Sequence, residues 1–289
     1  MAYHDFMQSS NPVLSRYEPK NDKSGQAGQS GFAYAEGTAA YQTAAAGGGA
    51  AGVDAAFEQV TAAGGARLTI NDVIVKTFAV FVVTVIFAVV GWNLVGSMPW
   101  ILWVGLIGGI GLGFVNAFKK QVSPLLVMLY AVFEGLLLGA ISVLYNEMAI
   151  ANEYPGVVLQ AVVATMVTFG VMLTLYLTGI IKVTKKFQSV LMVAAVSYLV
   201  LALASLVAAM FGVGGGWGFY GVGGLGILIA VAGVLIASFF LLLDFEAISQ
   251  GIKAGAPERE SWRMAFGLLV TLVWLYLEFL RLLTLLNRN

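Results

Sequence analysis

The stretch Leu241-Leu242-Leu243-Asp244-Phe245-Glu246, followed after a charged loop by Leu275-Tyr276-Leu277-Glu278-Phe279-Leu280-Arg281, decides how this chain is read. Each carboxylate stands in or at the end of a run that is otherwise apolar, over residues 225–243 and 265–286. A helix of about 20 apolar residues, rising 1.5 Å per residue, crosses the roughly 30 Å hydrocarbon core of a bilayer. An acid at the centre of such a helix costs roughly 2.5–3.5 kcal/mol on insertion scales, so it is usually retained for a partner, a cavity or an ion path. Asp244 and Glu278 are therefore the candidate working site.

The same length test, carried outward, gives seven spans at residues 78–96, 100–118, 125–145, 157–181, 190–211, 225–243 and 265–286. No segment alternates apolar and polar residues with a period of two, and unpaired strands do not survive in lipid, so the expected fold is an all-α bundle of seven transmembrane helices. Composition agrees. The 289 residues are 60% hydrophobic and 10% charged, with a mean hydropathy of +0.89, whereas soluble domains carry about a quarter charged residues. Net charge is zero and no basic block is long enough to hold nucleic acid. There is no cysteine, which excludes disulfides, thiolate metal sites and a cysteine nucleophile. The one histidine, His4, lies in the polar N-terminal region, so titration within the membrane falls to carboxylates and tyrosines.

Two domains are expected: residues 1–66, an Ala/Gly-rich disordered tail on the cytoplasmic side, and residues 67–289, the membrane domain. The tail lacks the pattern of a secretory signal, so the first apolar helix serves as the insertion signal. Thr69-Ile70-Asn71-Asp72 has the spacing of an N-terminal capping box. Lys119 and Lys120, then Lys182, Lys185 and Lys186, then Lys253, Arg259 and Arg263 follow the second, fourth and sixth spans. The alternate loops, residues 97–99, 146–156 and 212–224, hold no Lys or Arg. By the positive-inside rule the N-terminus is cytoplasmic and the C-terminus lies outside a cell membrane, with Arg288 as the one dissenting charge and six spans plus a re-entrant seventh segment as the alternative.

Gly105, Gly109 and Gly113, and again Gly135 and Gly139, recur every fourth residue and read as close helix packing. Trp100, Trp103, Trp217 and Trp262 fall near predicted span ends, and Phe219 and Tyr220 in an external turn, as interfacial aromatics do. Glu134 stands near the middle of the third span; it is either a carboxyl hydrogen-bonded to a neighbouring helix or an accessory polar group of a hydrated path. Asp244 is either an interfacial residue or, if its helix runs on through Phe245, Ala247, Ile248 and Ile252, a deeper one. Glu278 can pair locally with Arg281, three residues on, and Arg281 can also reach towards the near interface.

Leu243-Asp244-Phe245 at the end of the sixth span, with Leu275-Tyr276-Leu277-Glu278-Phe279-Leu280 in the seventh, resembles the Bax inhibitor-1 family, also called the transmembrane Bax inhibitor motif or YccA-like family. The resemblance runs from about Leu68 to the C-terminus and leaves the tail outside. It implies a pH-sensitive calcium leak channel in which the acids of the sixth and seventh helices, here Asp244 and Glu278, form a hydrogen-bonded pair. The seventh-helix acid of the best-known members is Asp, and here it is Glu, one methylene longer. Two carboxylates within about 4 Å share a proton and titrate as a unit. Losing the last proton drives such a pair apart and leaves an oxygen-lined gap for a hard cation. The expected partners are the bilayer and a permeant cation, calcium among them, bound in passing; no cofactor and no tightly bound metal are expected.

The chain is not expected to be an enzyme. Intramembrane aspartyl proteases need Tyr-Asp and Gly-x-Gly-Asp motifs, whereas the acids here follow leucine. A retinal pump needs a lysine in the last helix, and residues 265–286 hold none. The alternative is a non-transporting scaffold that binds a membrane protease or an envelope protein through its tail.

Overall fold

A computed structural model describes residues 66–288. The tail expected at residues 1–66 lies outside the described residues, apart from Ala66. Seven helices follow in order, each long and apolar enough to cross a membrane: α1 (Ile70–Leu94), α2 (Ile101–Phe118), α3 (Pro124–Ala151), α4 (Val157–Leu177), α5 (Lys185–Met210), α6 (Gly223–Lys253) and α7 (Ser261–Arg288). No strand occurs among the described residues. Two short 3-10 turns, Val213–Gly216 and Gly218–Gly221, join α5 to α6, and a third, Glu258–Glu260, leads into α7.

Local chemistry sets the helix ends. α1 begins at the expected capping box: the Asp72 amide donates to Thr69 Oγ1 at 3.3 Å and the Thr69 amide donates to Asp72 Oδ2 at 3.0 Å. α4 stops at Leu177, four residues before the expected end, because Gly179 adopts a positive φ of 68° just past the cap. α3 and α6 run longer than the apolar count alone suggested, to Ala151 and Lys253, because buried apolar residues such as Ala149, Phe245 and Ile248 recur among polar ones beyond the apolar run.

α3, α6 and α7 are the buried helices, and α1, α2, α4 and α5 lie around them with large apolar side chains such as Phe78, Leu206 and Ile107 turned outward. Such a surface is stable against lipid and not against water. The glycine repeats serve packing as expected. A Cβ on Gly105 would lie 2.8 Å from the Leu137 amide nitrogen, and one on Gly139 would lie 2.7 Å from that of Trp92, so α2 and α1 both approach α3 backbone to backbone.

At the end of the bundle bearing the lysines and arginines, three segments are tied together. The Leu68 amide donates to Ala256 O at 2.8 Å and the Glu258 amide to Ala66 O at 2.7 Å, which seats the chain entry on the α6–α7 loop. Lys76 Nζ reaches Glu258 Oε1 and Ser261 Oγ, each at 2.7 Å. Arg259 Nε donates to Val122 O at 2.8 Å, and an Arg263 guanidinium nitrogen to Lys120 O at 2.8 Å, so the same loop also holds the α2–α3 turn.

Candidate functional site

Glu278 is the better-satisfied of the two acids. It is buried on α7, and its carboxylate receives Arg281 Nη1 at 3.0 and 3.2 Å, the Tyr198 hydroxyl of α5 at 2.8 Å and Trp274 Nε1 at 3.1 Å. Trp274 and Arg281 stand four residues before and three after it, so one helix face supplies two of its three partners. Gly233 of α6 makes room: a Cβ there would fall 2.6 Å from Glu278 Oε2. The expected local pair with Arg281 is present.

Arg281 is itself held from behind. Its guanidinium lies 4.2 Å from the centre of the Tyr220 ring, and the Tyr220 hydroxyl donates to that of Tyr198 at 3.1 Å. Tyr220 is thus 8% exposed and part of the site, where the sequence suggested an interfacial ring in an external turn. The tight 3-10 turn before α6 folds it inward. Beyond Arg281 a cavity of about 180 Å³ opens at the end of the bundle opposite the lysines, lined by Tyr145, Asn152, Trp217, Tyr220, Arg281 and Thr284 among others.

Asp244 lies deeper than a helix end, because α6 continues to Lys253. Its carboxyl lies beside the Thr271 side chain and Gly267, whose missing Cβ would lie 3.6 Å from Oδ1. Oδ2 is sealed from solvent and has no hydrogen-bond partner among the described residues. A buried acceptor left unpaired costs about 1–3 kcal/mol, more when charged, and such groups in native folds usually have a purpose beyond stability.

The structure does not bring Asp244 and Glu278 together. Asp244 is level with Gly267, and Glu278 with Gly233. On each helix the two levels are eleven residues apart, which at 1.5 Å per residue is about 16 Å along the seam. The hydrogen-bonded carboxylate pair implied by the resemblance is therefore absent. The cause is register: Asp244 lies nine residues before the end of α6, whereas Glu278 lies seventeen after the start of α7. Eleven residues are close to three full turns, so both acids keep to one α6–α7 seam. Ala237, Leu241, Leu242, Leu272 and Leu275, all buried, belong to one apolar cluster at the levels between them.

Glu134 joins neither acid. It is buried on α3, hydrogen-bonds to Tyr130 one turn earlier, and faces α2, where a Cβ on Gly109 would lie 2.8 Å from its Oε2. The Tyr130 ring packs edge-on against Phe266 of α7, with centroids 4.9 Å apart.

Sequence reasoning missed Tyr198, Tyr220, Trp274 and Thr271. The spacing of Trp274 to Glu278 was available as a signal; the tyrosines approach from other helices, and nothing local marks them.

No curated protein matches the chain. The family match starts well before Leu68, so it takes in most of the N-terminal segment that the sequence comparison left outside. The family model described as Bax inhibitor 1 like matches residues 11–288, and the chain belongs to that family.

Proposed function

We propose that this membrane protein is a pH-sensitive cation leak, calcium among its ions, in which Asp244 and Glu278 act as two separate stations along the α6–α7 seam. The unpaired Asp244 Oδ2 carries this reading: an acid kept between two packed helices at a cost in stability is best explained by an ion or proton that visits it. Glu278, neutralised by Arg281 and capped by Tyr198, which Tyr220 backs in turn, is the shut station. The apolar cluster between the two levels holds the path closed. No group of three metal-ligating side chains gathers among the described residues. One or two carboxylates per station suit a cation in transit, since calcium takes about six to eight oxygens when held.

The lysine-rich end is assigned to the cytoplasm by the positive-inside rule, which puts Asp244 nearer that side and the Arg281 cavity outside. Calcium entry into proteoliposomes containing the full chain, against empty liposomes, tests conduction. A second reading, a scaffold that captures a membrane protein, draws on the way residues 66–68 are fastened to the α6–α7 loop. Absence of flux at every pH would favour it.

A further inference from the structure

Between α1 and α4 the bundle is open to the side. The two helices stand apart there, and α3 and α7 form the floor of a groove of about 460 Å³. Val85, Ala88 and Trp92 line one wall and Val158, Val162 and Met166 the other, over a floor that includes Leu138, Leu269, Leu272 and Val273. The α1 wall runs from Phe81 to Trp92, about 16 Å of helix, and stops two residues short of the helix end. Val158 is the second residue of α4. The groove therefore occupies the half of the bilayer nearest the loop at residues 152–156, and Trp92 marks its mouth at the interface.

Its chemistry narrows the occupant. No charged residue lines it. The hydroxyls that reach it are already committed: Thr84 to Val80 O at 3.0 Å, Thr165 to Ala161 O at 2.7 Å, and Ser142 to Leu138 O and the Tyr276 hydroxyl, each at 2.6 Å. The hydroxyl protons of the groove are thus all engaged, and a ligand that needs a hydroxyl donor finds none there. The walls continue into the lipid-facing surface, with Val85 45% and Val162 40% exposed.

We propose that the groove holds a single acyl chain of a membrane lipid, with its headgroup at the interface beside Trp92. The chain would lie against Leu269, Leu272, Val273 and Tyr276 of α7, the helix that carries Glu278. This does not depend on ion conduction, and its test reads lipid contact rather than flux.

The full chain is placed in nanodiscs of phosphatidylcholine doped with a phosphatidylcholine bearing a diazirine midway along one acyl chain, irradiated, and the adducts mapped by mass spectrometry. The expected result is labelling of the floor residues Leu138, Leu269 and Val273. Filling the groove from either wall, by Val85→Trp or Val162→Trp, reduces that labelling by about tenfold or more, while labelling of Leu206 on the outer face of α5 is unchanged. Unchanged Leu206 labelling also shows that each variant remains inserted. Floor labelling that is absent in the wild type, or indifferent to both substitutions, overturns the proposal. An unlabelled floor in a chain that runs as a dimer would place a second copy there and overturn it equally.

Discussion

Replacing Glu278 by glutamine keeps the side chain's shape and removes one charge from a pair whose acid is 3% exposed and whose base keeps 26% of its side-chain surface. Breaking a buried ion pair by removing one partner costs about 3–5 kcal/mol. Arg281 is partly exposed and retains the Tyr220 face at 4.2 Å, which lowers the expected loss to about 2 kcal/mol. The amide oxygen still accepts from one of Tyr198 and Trp274, so the change is electrostatic rather than steric. At about 2–4 °C per kcal/mol, the midpoint of thermal unfolding in a fixed detergent falls by about 4–8 °C. Adding Arg281→Met to Glu278→Gln removes the orphaned charge and restores at least about 1 kcal/mol relative to additivity. An unchanged midpoint for Glu278→Gln, or strict additivity in the double variant, would refute the ion-pair account of this station.

The two acids should differ in kind. Asp244→Leu is expected to be neutral or to raise the unfolding midpoint, because it removes an unpaired buried acceptor, whereas Glu278→Leu lowers it by more than Glu278→Gln does; parallel melts check this. Because the natural chain has no cysteine, register is directly testable: the pairs Asp244→Cys with Gly267→Cys and Glu278→Cys with Gly233→Cys should oxidise to disulfides, and Asp244→Cys with Glu278→Cys should not, as read by mass spectrometry. Gly139→Val forces α1 away from α3 and should cost about 1–3 kcal/mol or prevent insertion, seen as loss of monodisperse protein on gel filtration. Glu258→Gln, at a pair whose acid is 43% exposed, should change the midpoint by less than about 1 kcal/mol in the same melts.

The membrane fold was legible because lipid imposes a length on every span. Apolar runs near 20 residues, with lysines and arginines confined to every second loop, pointed to seven helices, and Thr69 with Asp72 marked the start of the first. Helix ends were less legible: α6 extends past Asp244 on alternating apolar and polar residues, and α4 stops early at a glycine in the left-handed region. Asp244 and Glu278 stood out as acids in apolar runs, and the Glu278–Arg281 pair followed from a spacing of three. Their relation to each other did not. It depends on the register of α6 against α7, in which Gly233 makes room for Glu278, and a glycine in a transmembrane run does not say which neighbour it admits. Tyr198 and Tyr220 were hidden for a similar reason, since they reach Glu278 and Arg281 from α5 and from a turn. In the structure the charged α6–α7 loop ties the chain entry and the α2–α3 turn together through Lys76, Arg259 and Arg263.

In the proposed leak, Asp244 is visited by the ion or proton that crosses the membrane. Calcium flux into proteoliposomes at about pH 6, 7 and 8 should be compared for wild type, Asp244→Asn and Glu278→Gln. The prediction is a wild-type leak that rises with pH as the carboxyl ionises, lost or made pH-independent by Asp244→Asn. Glu278→Gln should instead raise the leak, because it loosens the shut station. A pH-dependent leak left unchanged by Asp244→Asn would contradict the account.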